Sequence, residues 1–354
     1  MHTDRAAWRI ARAGSLERLR LVTERLPPPA AGEVQLAVRA VGLNFADIFA
    51  CLGLYSATPA GSFVPGLEAA GVVTALGPAL AGRPAYAIGD RVLALTRFGG
   101  YASALNVDSR YLAPIPADWT FESAAAWPVQ ALTAWYGLLR LGAARADSVV
   151  LVQSAAGGVG LQALAMLERV GARAVAVVGS AAKVDFLRGR VSLPEQCLVI
   201  RSGNDYGQRL DAALAAYGAA GFDVVFDAVL GRAFRPAFER LAPEGRYVLY
   251  GAADFMPSGT RRGWARLAWH WLRRPRLDPL AMISSNRGFM AFNLIWLWEA
   301  VERVPEAYAA LTALALPAPH VGARYPFADA RRALDDLKSG QTVGKSVLSV
   351  EGPA

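Results

Sequence analysis

Hydrophobic positions along this chain follow two periods that alternate. Ser148 to Leu167 carries no charged residue, yet three glycines interrupt it. Its first part, SVVLVQ, is a short β-branched run, which predicts a strand buried on both faces of a parallel sheet. The following GLQALAMLERVGA switches to helical spacing, with Leu161, Leu164, Ala165 and Leu167 on one stripe and Gly171 as the stop. Strand, tight turn and helix is therefore the reading. A membrane span would not tolerate the glycine break in lipid. Similar units follow: strands RAVAVV, CLVI, FDVVFDAV and GRYVLYG, with helices AAKVDFLRG, DYGQRLDAALAAYG and GRAFRPAFERL between them. That alternation predicts a doubly wound parallel α/β sheet. Upstream, short strands are punctuated by PPPAAGE, GPALAG and IGD, an all-β signature. The tail RYPFADARRALDDLKSGQTVGKSVLSV reads helix, turn and closing strand.

The turn AAGGVG changes the picture from fold to ligand. Glycines between strand and helix let backbone N–H groups approach an anion at the positive helix end. It is a variant dinucleotide fingerprint, with Ala155 where a first glycine often stands. Ala156, Gly157, Gly158 and Val159 are expected at the pyrophosphate. The next strand ends VVGSAAK, with no acid to hold a ribose 2′-hydroxyl. Gly179, Ser180 and Lys183 suit a 2′-phosphate instead, so NADPH is expected. The other reading of Ser180 is a helix cap.

Composition narrows the class. The chain has 354 residues, enough for two domains, and 54% hydrophobic with 19% charged residues excludes disorder. Cys51 and Cys197 cannot build a disulfide framework or a four-cysteine zinc knot, which fits a reduced, cytoplasmic setting. The N-terminus shows no apolar signal region. Formal charge is +8, but only Lys183, Lys338 and Lys345 are lysines. A basic total of this kind does not call for nucleic acid.

GLNFADIFACLGLY, VPGLEAAGVV, GDRVLAL, AAGGVG and GRYVLYG together resemble the medium-chain dehydrogenase/reductase superfamily, in its zinc-independent quinone oxidoreductase branch. WLRRPRLDPLAMISSNRGFMAFNLIWL resembles the vesicle amine transport protein homologues of that branch, which carry an insertion before an FNL-WL strand. The resemblance implies a split GroES-like β-barrel catalytic domain, residues 1–123 and 314–354. It implies a Rossmann NADP-binding domain over 124–313, with a basic aromatic insertion at 255–285. A homodimer is expected.

Zinc-dependent relatives place Cys and His where this chain has Asn44 and Leu67. Glu68 alone makes no site, and His2, His270 and His320 are scattered, so no metal is expected. What remains is hydride transfer from NADPH to an activated acceptor, a quinone or an α,β-unsaturated carbonyl. The resemblance points to Asn44, Tyr55 and Thr133 as catalytic. Asn44 could orient the acceptor carbonyl or close a turn through its own backbone. Tyr55 could line the pocket or donate a hydrogen bond, and Phe49 replaces a second tyrosine of some relatives. Thr133 could bond the ring carboxamide or its own helix. Asp47 is read as a loop tie. Gln130, Gly251, Phe292, Asn293, Leu294 and Lys345 match cofactor-facing positions. Arg201 stands where relatives have a tyrosine near the 2′-phosphate, and is a bidentate phosphate partner by chemistry.

SGTRRGWARLAWHWLRRPRLDP is the outlying segment. On a helix, Trp264, Leu267, Ala268, Trp271 and Leu272 share a face, flanked by Arg261, Arg262, Arg266, Arg273, Arg274 and Arg276. Three readings stand: a lid packed on the cofactor domain, an anionic membrane contact through 261–276, or a subunit contact to which an FNLIWLWEA strand could add. The function reading is an NADPH-dependent reductase; the alternative is a lipid- or membrane-surface-binding protein on a reductase scaffold.

Overall fold

The computed structural model describes residues 3–80, 86–257, 259–297 and 299–351; His2, the Arg266 side chain and Trp298 lie outside it. The charge-free run folds as read. Val149–Gln153 is a strand buried throughout, and Gly158–Val170 is the helix behind it. Gly171 ends that helix in the left-handed conformation.

Six parallel strands form the sheet around Val149–Gln153. On one side lie Arg173–Val178 and then Leu198–Ile200; on the other lie Phe222–Asp227, Leu241–Leu249 and Gly288–Ala291. The order reverses between Val149–Gln153 and Phe222–Asp227. Ligands bind at such a reversal, beyond the strands' carboxyl ends. The fold is α/β, with a doubly wound Rossmann sheet.

A seven-stranded, mostly antiparallel sheet builds the GroES-like half. Glu33–Gly42, Glu68–Leu76 and Arg91–Leu95 form its centre, and Lys345–Ser349 pairs beside Glu33–Gly42. The end of the chain thus completes a sheet begun near residue 33. The tail also contains a strand not expected from its pattern, Val321–Pro326, parallel to Lys345–Ser349.

Two expectations in the insertion are corrected. The FNL-WL segment is not a strand: pairing ends at Ala291, and Leu294–Leu297 is a 3-10 turn. Asn293 causes the change, since its carbonyl accepts from Trp296 N–H and its side chain from Ile295 N–H. Nor is the arm a packed lid. Trp264–Leu272 is helical but buries none of its described side chains; Trp264 is 66% and Trp271 60% exposed. Arginines stack on these rings instead, Arg273 at 4.0 Å from the Trp269 centroid and Arg274 at 3.8 Å from that of Trp271. A second short helix, Pro279–Ser285, leaves Leu280 and Ile283 exposed.

The arm's root is pinned to the other half of the molecule. Leu16 N–H donates to Thr260 O (3.0 Å), Thr260 Oγ1 to Glu17 Oε1 (3.0 Å), and Lys338 Nζ to Gly259 O (3.2 Å).

Candidate active site

One cleft of about 1090 Å³ runs between the two halves. Its cofactor side starts at the glycine turn. Ser154 holds a positive φ of 54°, and Gly157 caps the helix without a side chain. A Cβ on Gly160 would lie 2.5 Å from Ser154 O and 2.6 Å from Ala155 Cα. Glycine is therefore required there for helix and strand to approach. Ala156, Gly157, Gly158 and Val159 all line the cleft.

Gly179, Lys183 and Arg201 meet at the end of the second strand and also line the cleft. The Arg201 guanidinium lies along Gly179, where a Cβ would sit 3.2 Å from Nη2. Lys183 Nζ donates to Gly340 O at 2.6 Å. Burial, then the Arg201 charge, holds the Lys183 ammonium below its ordinary pKa. Two cations this close are stabilised by an anion between them, which fits a 2′-phosphate. Ser180 is not part of the lining; it precedes helix Ala181–Arg188 and makes no capping bond.

Opposite the turn, Asn44 sits just before helix Phe45–Leu52. Asp47 ties that helix start, accepting from Asn44 N–H at 2.8 Å and from Tyr101 O–H at 3.0 Å. Burial pushes the Asp47 carboxyl up to about 7, and its Oδ1 has no partner. The Asn44 amide takes part in a buried polar cluster. Its Oδ1 accepts from Lys345 Nζ (2.7 Å) and Gln130 Nε2 (3.0 Å), and its Nδ2 donates to Glu68 Oε1 (2.9 Å). Lys345 and Glu68 form an ion pair at 2.6 Å, with side chains 4% and 0% exposed. Gln130 and Lys345, expected at the cofactor, thus sit beside both the cofactor turn and Asn44. Gly344 N–H donates to Ala156 O at 2.7 Å, which brings Lys345 against the turn.

Tyr55 reaches across the cleft. Its hydroxyl donates to Asn293 Oδ1 at 2.7 Å, and burial raises its pKa to about 12, so it stays a neutral donor. Thr133, on helix Pro128–Trp135, is buried and lines the cleft. Gly251, Phe292, Asn293 and Leu294 complete the wall. Phe45, Phe49, Leu54, Leu67 and Leu95 give the cleft an apolar lining beside Asn44 and Tyr55. Among the described residues, no three His, Cys, Asp or Glu side chains meet in a way that could hold a metal ion.

Comparison with known proteins agrees with the fold. A family profile described as zinc-binding dehydrogenase covers residues 198–348, and one described as alcohol dehydrogenase GroES-like domain covers residues 30–117. The human synaptic vesicle membrane protein VAT-1 homolog is 34% identical over 346 residues, 96% of this chain and 85% of that protein. The chain belongs to the medium-chain dehydrogenase/reductase superfamily, in its quinone oxidoreductase branch.

Solved structures of the superfamily superpose along nearly its whole length. Mycobacterial Rv1454c complexed with NADPH gives a TM-score of 0.82 at 28% identity, covering 98% of this chain and 99% of that one. The quinone oxidoreductase of Thermus thermophilus, also solved with NADPH, gives 0.76 at 31% identity, covering 97% and 99%.

Sequence patterns mark Glu68 only as a lone carboxylate and do not place Lys338, Ser339 and Gly340 at the cleft, which they line. One signal was available. The chain has three lysines among 37 basic residues, and Lys183, Lys338 and Lys345 all line the cleft.

Proposed function

We propose that this chain is a zinc-independent, NADPH-dependent reductase that delivers hydride to a quinone or an α,β-unsaturated carbonyl. The carrying observation is that one cleft joins the glycine turn and the Lys183–Arg201 pair to an apolar pocket holding Asn44, Tyr55 and Thr133. Bound NADPH supplies the hydride. The glycine turn holds pyrophosphate through main-chain N–H groups, and Lys183 with Arg201 selects the 2′-phosphate. Asn44 and Tyr55 orient the acceptor oxygen, and Thr133 holds the nicotinamide edge. The acceptor-side residues Phe45, Phe49 and Leu95 exclude water. No metal donor set stands by among the described residues to polarise an alcohol, so the acceptor must be activated already. Two free, buried cysteines suit a cytoplasmic setting. The test follows NADPH absorbance with a panel of quinones and enones. Turnover with at least one class, and a preference for NADPH over NADH, is expected; silence across the panel with tight NADPH binding overturns the acceptor assignment.

A second role is favoured by the exposed arm. Arg261, Arg262, Arg273, Arg274 and Arg276 accompany Trp264, Trp269 and Trp271, and no acidic residue lies between Phe255 and Leu277. We propose weak contact with an anionic bilayer surface through this arm, alongside turnover. No helix among the described residues is long and apolar enough to cross a membrane. Salt-sensitive co-sedimentation with phosphatidylserine vesicles is expected; none at low salt removes the role. The outer edge of strand Gly288–Ala291 is the sheet end through which we expect a homodimer, to be read from light scattering.

A further inference from the structure

Glu68 collects donors from separate parts of the fold. Its Oε1 accepts from Lys345 Nζ at 2.6 Å, Asn44 Nδ2 at 2.9 Å and Gln130 Nε2 at 3.1 Å. Its Oε2 accepts from the Val129 N–H at 2.8 Å. A carboxylate has room for about four such bonds, and this one makes four, three of them on one oxygen. It is fully buried at the start of strand Glu68–Leu76, while its partners come from the turn before Phe45, from helix Pro128–Trp135 and from strand Lys345–Ser349.

The consequence falls on the Asn44 amide, whose two ends have opposite hydrogen-bonding sense. As placed, Oδ1 accepts from the Lys345 ammonium (2.7 Å) and the Gln130 amide (3.0 Å), and Nδ2 faces Glu68. Rotation by half a turn would set NH₂ against an ammonium and another NH₂, and oxygen against a carboxylate. Every one of those contacts would be repulsive. The orientation is thereby locked. Among the described residues, Nδ2 has one further contact, Gly42 O at 3.5 Å, the limit of a hydrogen bond. Its second hydrogen is otherwise unclaimed, and Asn44 lines the cleft.

We propose that Glu68 and Lys345 act as a positioning pair that fixes the Asn44 amide with its oxygen inward, so that an N–H and not a lone pair meets the acceptor oxygen. This rests on the reading that Asn44 faces the acceptor. An N–H there steadies negative charge as hydride arrives, whereas an amide oxygen would oppose it. Neither Glu68 nor Lys345 needs to touch the acceptor.

Removing one partner strands a buried charge, so the informative variant is the double, Glu68→Gln/Lys345→Met, which removes both charges. The pair is neutral overall, and the net charge near the cofactor phosphates is preserved. Three readouts apply: NADPH affinity by fluorescence titration, turnover with an acceptor the wild type reduces, and hydrogen exchange of the Asn44 side-chain amide by NMR. The amide signal is assigned by its loss in Asn44→Asp. In the double variant, at NADPH concentrations that the titration shows to be saturating, kcat is expected to fall about tenfold or more and amide exchange to accelerate about tenfold. A purely structural pair would lower Tm but leave kcat and the amide unchanged, and that result overturns the proposal. So does a wild-type Asn44 amide that exchanges like an exposed one, a measurement needing no folded variant. If the wild type reduces no quinone or enone, the functional reading fails alone, and the amide exchange still decides the positioning.

Discussion

Single side chains decide affinity and pH response here. Arg201 lies along Gly179, where a Cβ would sit 3.2 Å from its Nη2. Arg201→Ala is expected to weaken NADPH about tenfold or more and NADH by less than about twofold, from charge-assisted bonds lost to the 2′-phosphate. Titration with both nucleotides checks this, and an equal loss removes Arg201 from that role. Asp47 responds to pH. Its carboxyl has an ordinary pKa of 3.8 and is pushed up to about 7 by burial in the folded protein. Between those values the folded state holds a proton that the unfolded chain has released. Stability contributed by this group is therefore present at low pH and declines as pH rises from about 4 to about 7. Chemical denaturation across that window should show a shallower slope in Asp47→Asn than in wild type. The Arg201 effect is anticipated by its place in the motif order. The Asp47 effect is not, because it comes from complete burial of a carboxyl that the sequence marks only as a loop tie.

Elements divide by how local their causes are. The strand Val149–Gln153, the glycine turn and the helix Gly158–Val170 were legible because periodicity and glycine placement act within a few residues. Strand Val321–Pro326 was not, because it alternates intermediate and exposed positions at a sheet edge and shows no apolar face. The Leu294–Leu297 segment is apolar enough for a strand, yet the Asn293 amide and carbonyl redirect its backbone. The arm helix Trp264–Leu272 has the pattern of a packed amphipathic helix but buries no described side chain against the rest of the chain. Few buried contacts make it the element that opens first. Limited trypsin digestion should cut first after Arg273 or Arg276, leaving the remainder folded; first cuts within the parallel sheet would contradict this.

At the scale of the whole molecule, the cleft depends on bonds that cross between the halves. Tyr55 to Asn293, Gly344 to Ala156 and the bonds from Thr260 to Glu17 and from Lys338 to Gly259 join them. Tyr55→Phe deletes one crossing bond without changing ring packing. A rise of about threefold to tenfold in acceptor KM, with NADPH affinity held, is expected from a lost neutral hydrogen bond; steady-state kinetics with a quinone or enone measures it. An unchanged KM would place the acceptor away from this bridge. The sequence by itself determined the parallel sheet, the glycine turn and the family, because each is written in neighbouring residues or in motif order. The tertiary structure alone decided that Glu68, Asn44, Gln130 and Lys345 form one buried cluster, that the lysines converge on one cleft, and that the tryptophan arm stays exposed. The buried cluster follows from chain closure, which pairs strand Lys345–Ser349 with Glu33–Gly42 and so sets a residue near the end of the chain against residues near its start. No local pattern encodes a contact across that separation; it is selected only by packing the whole fold.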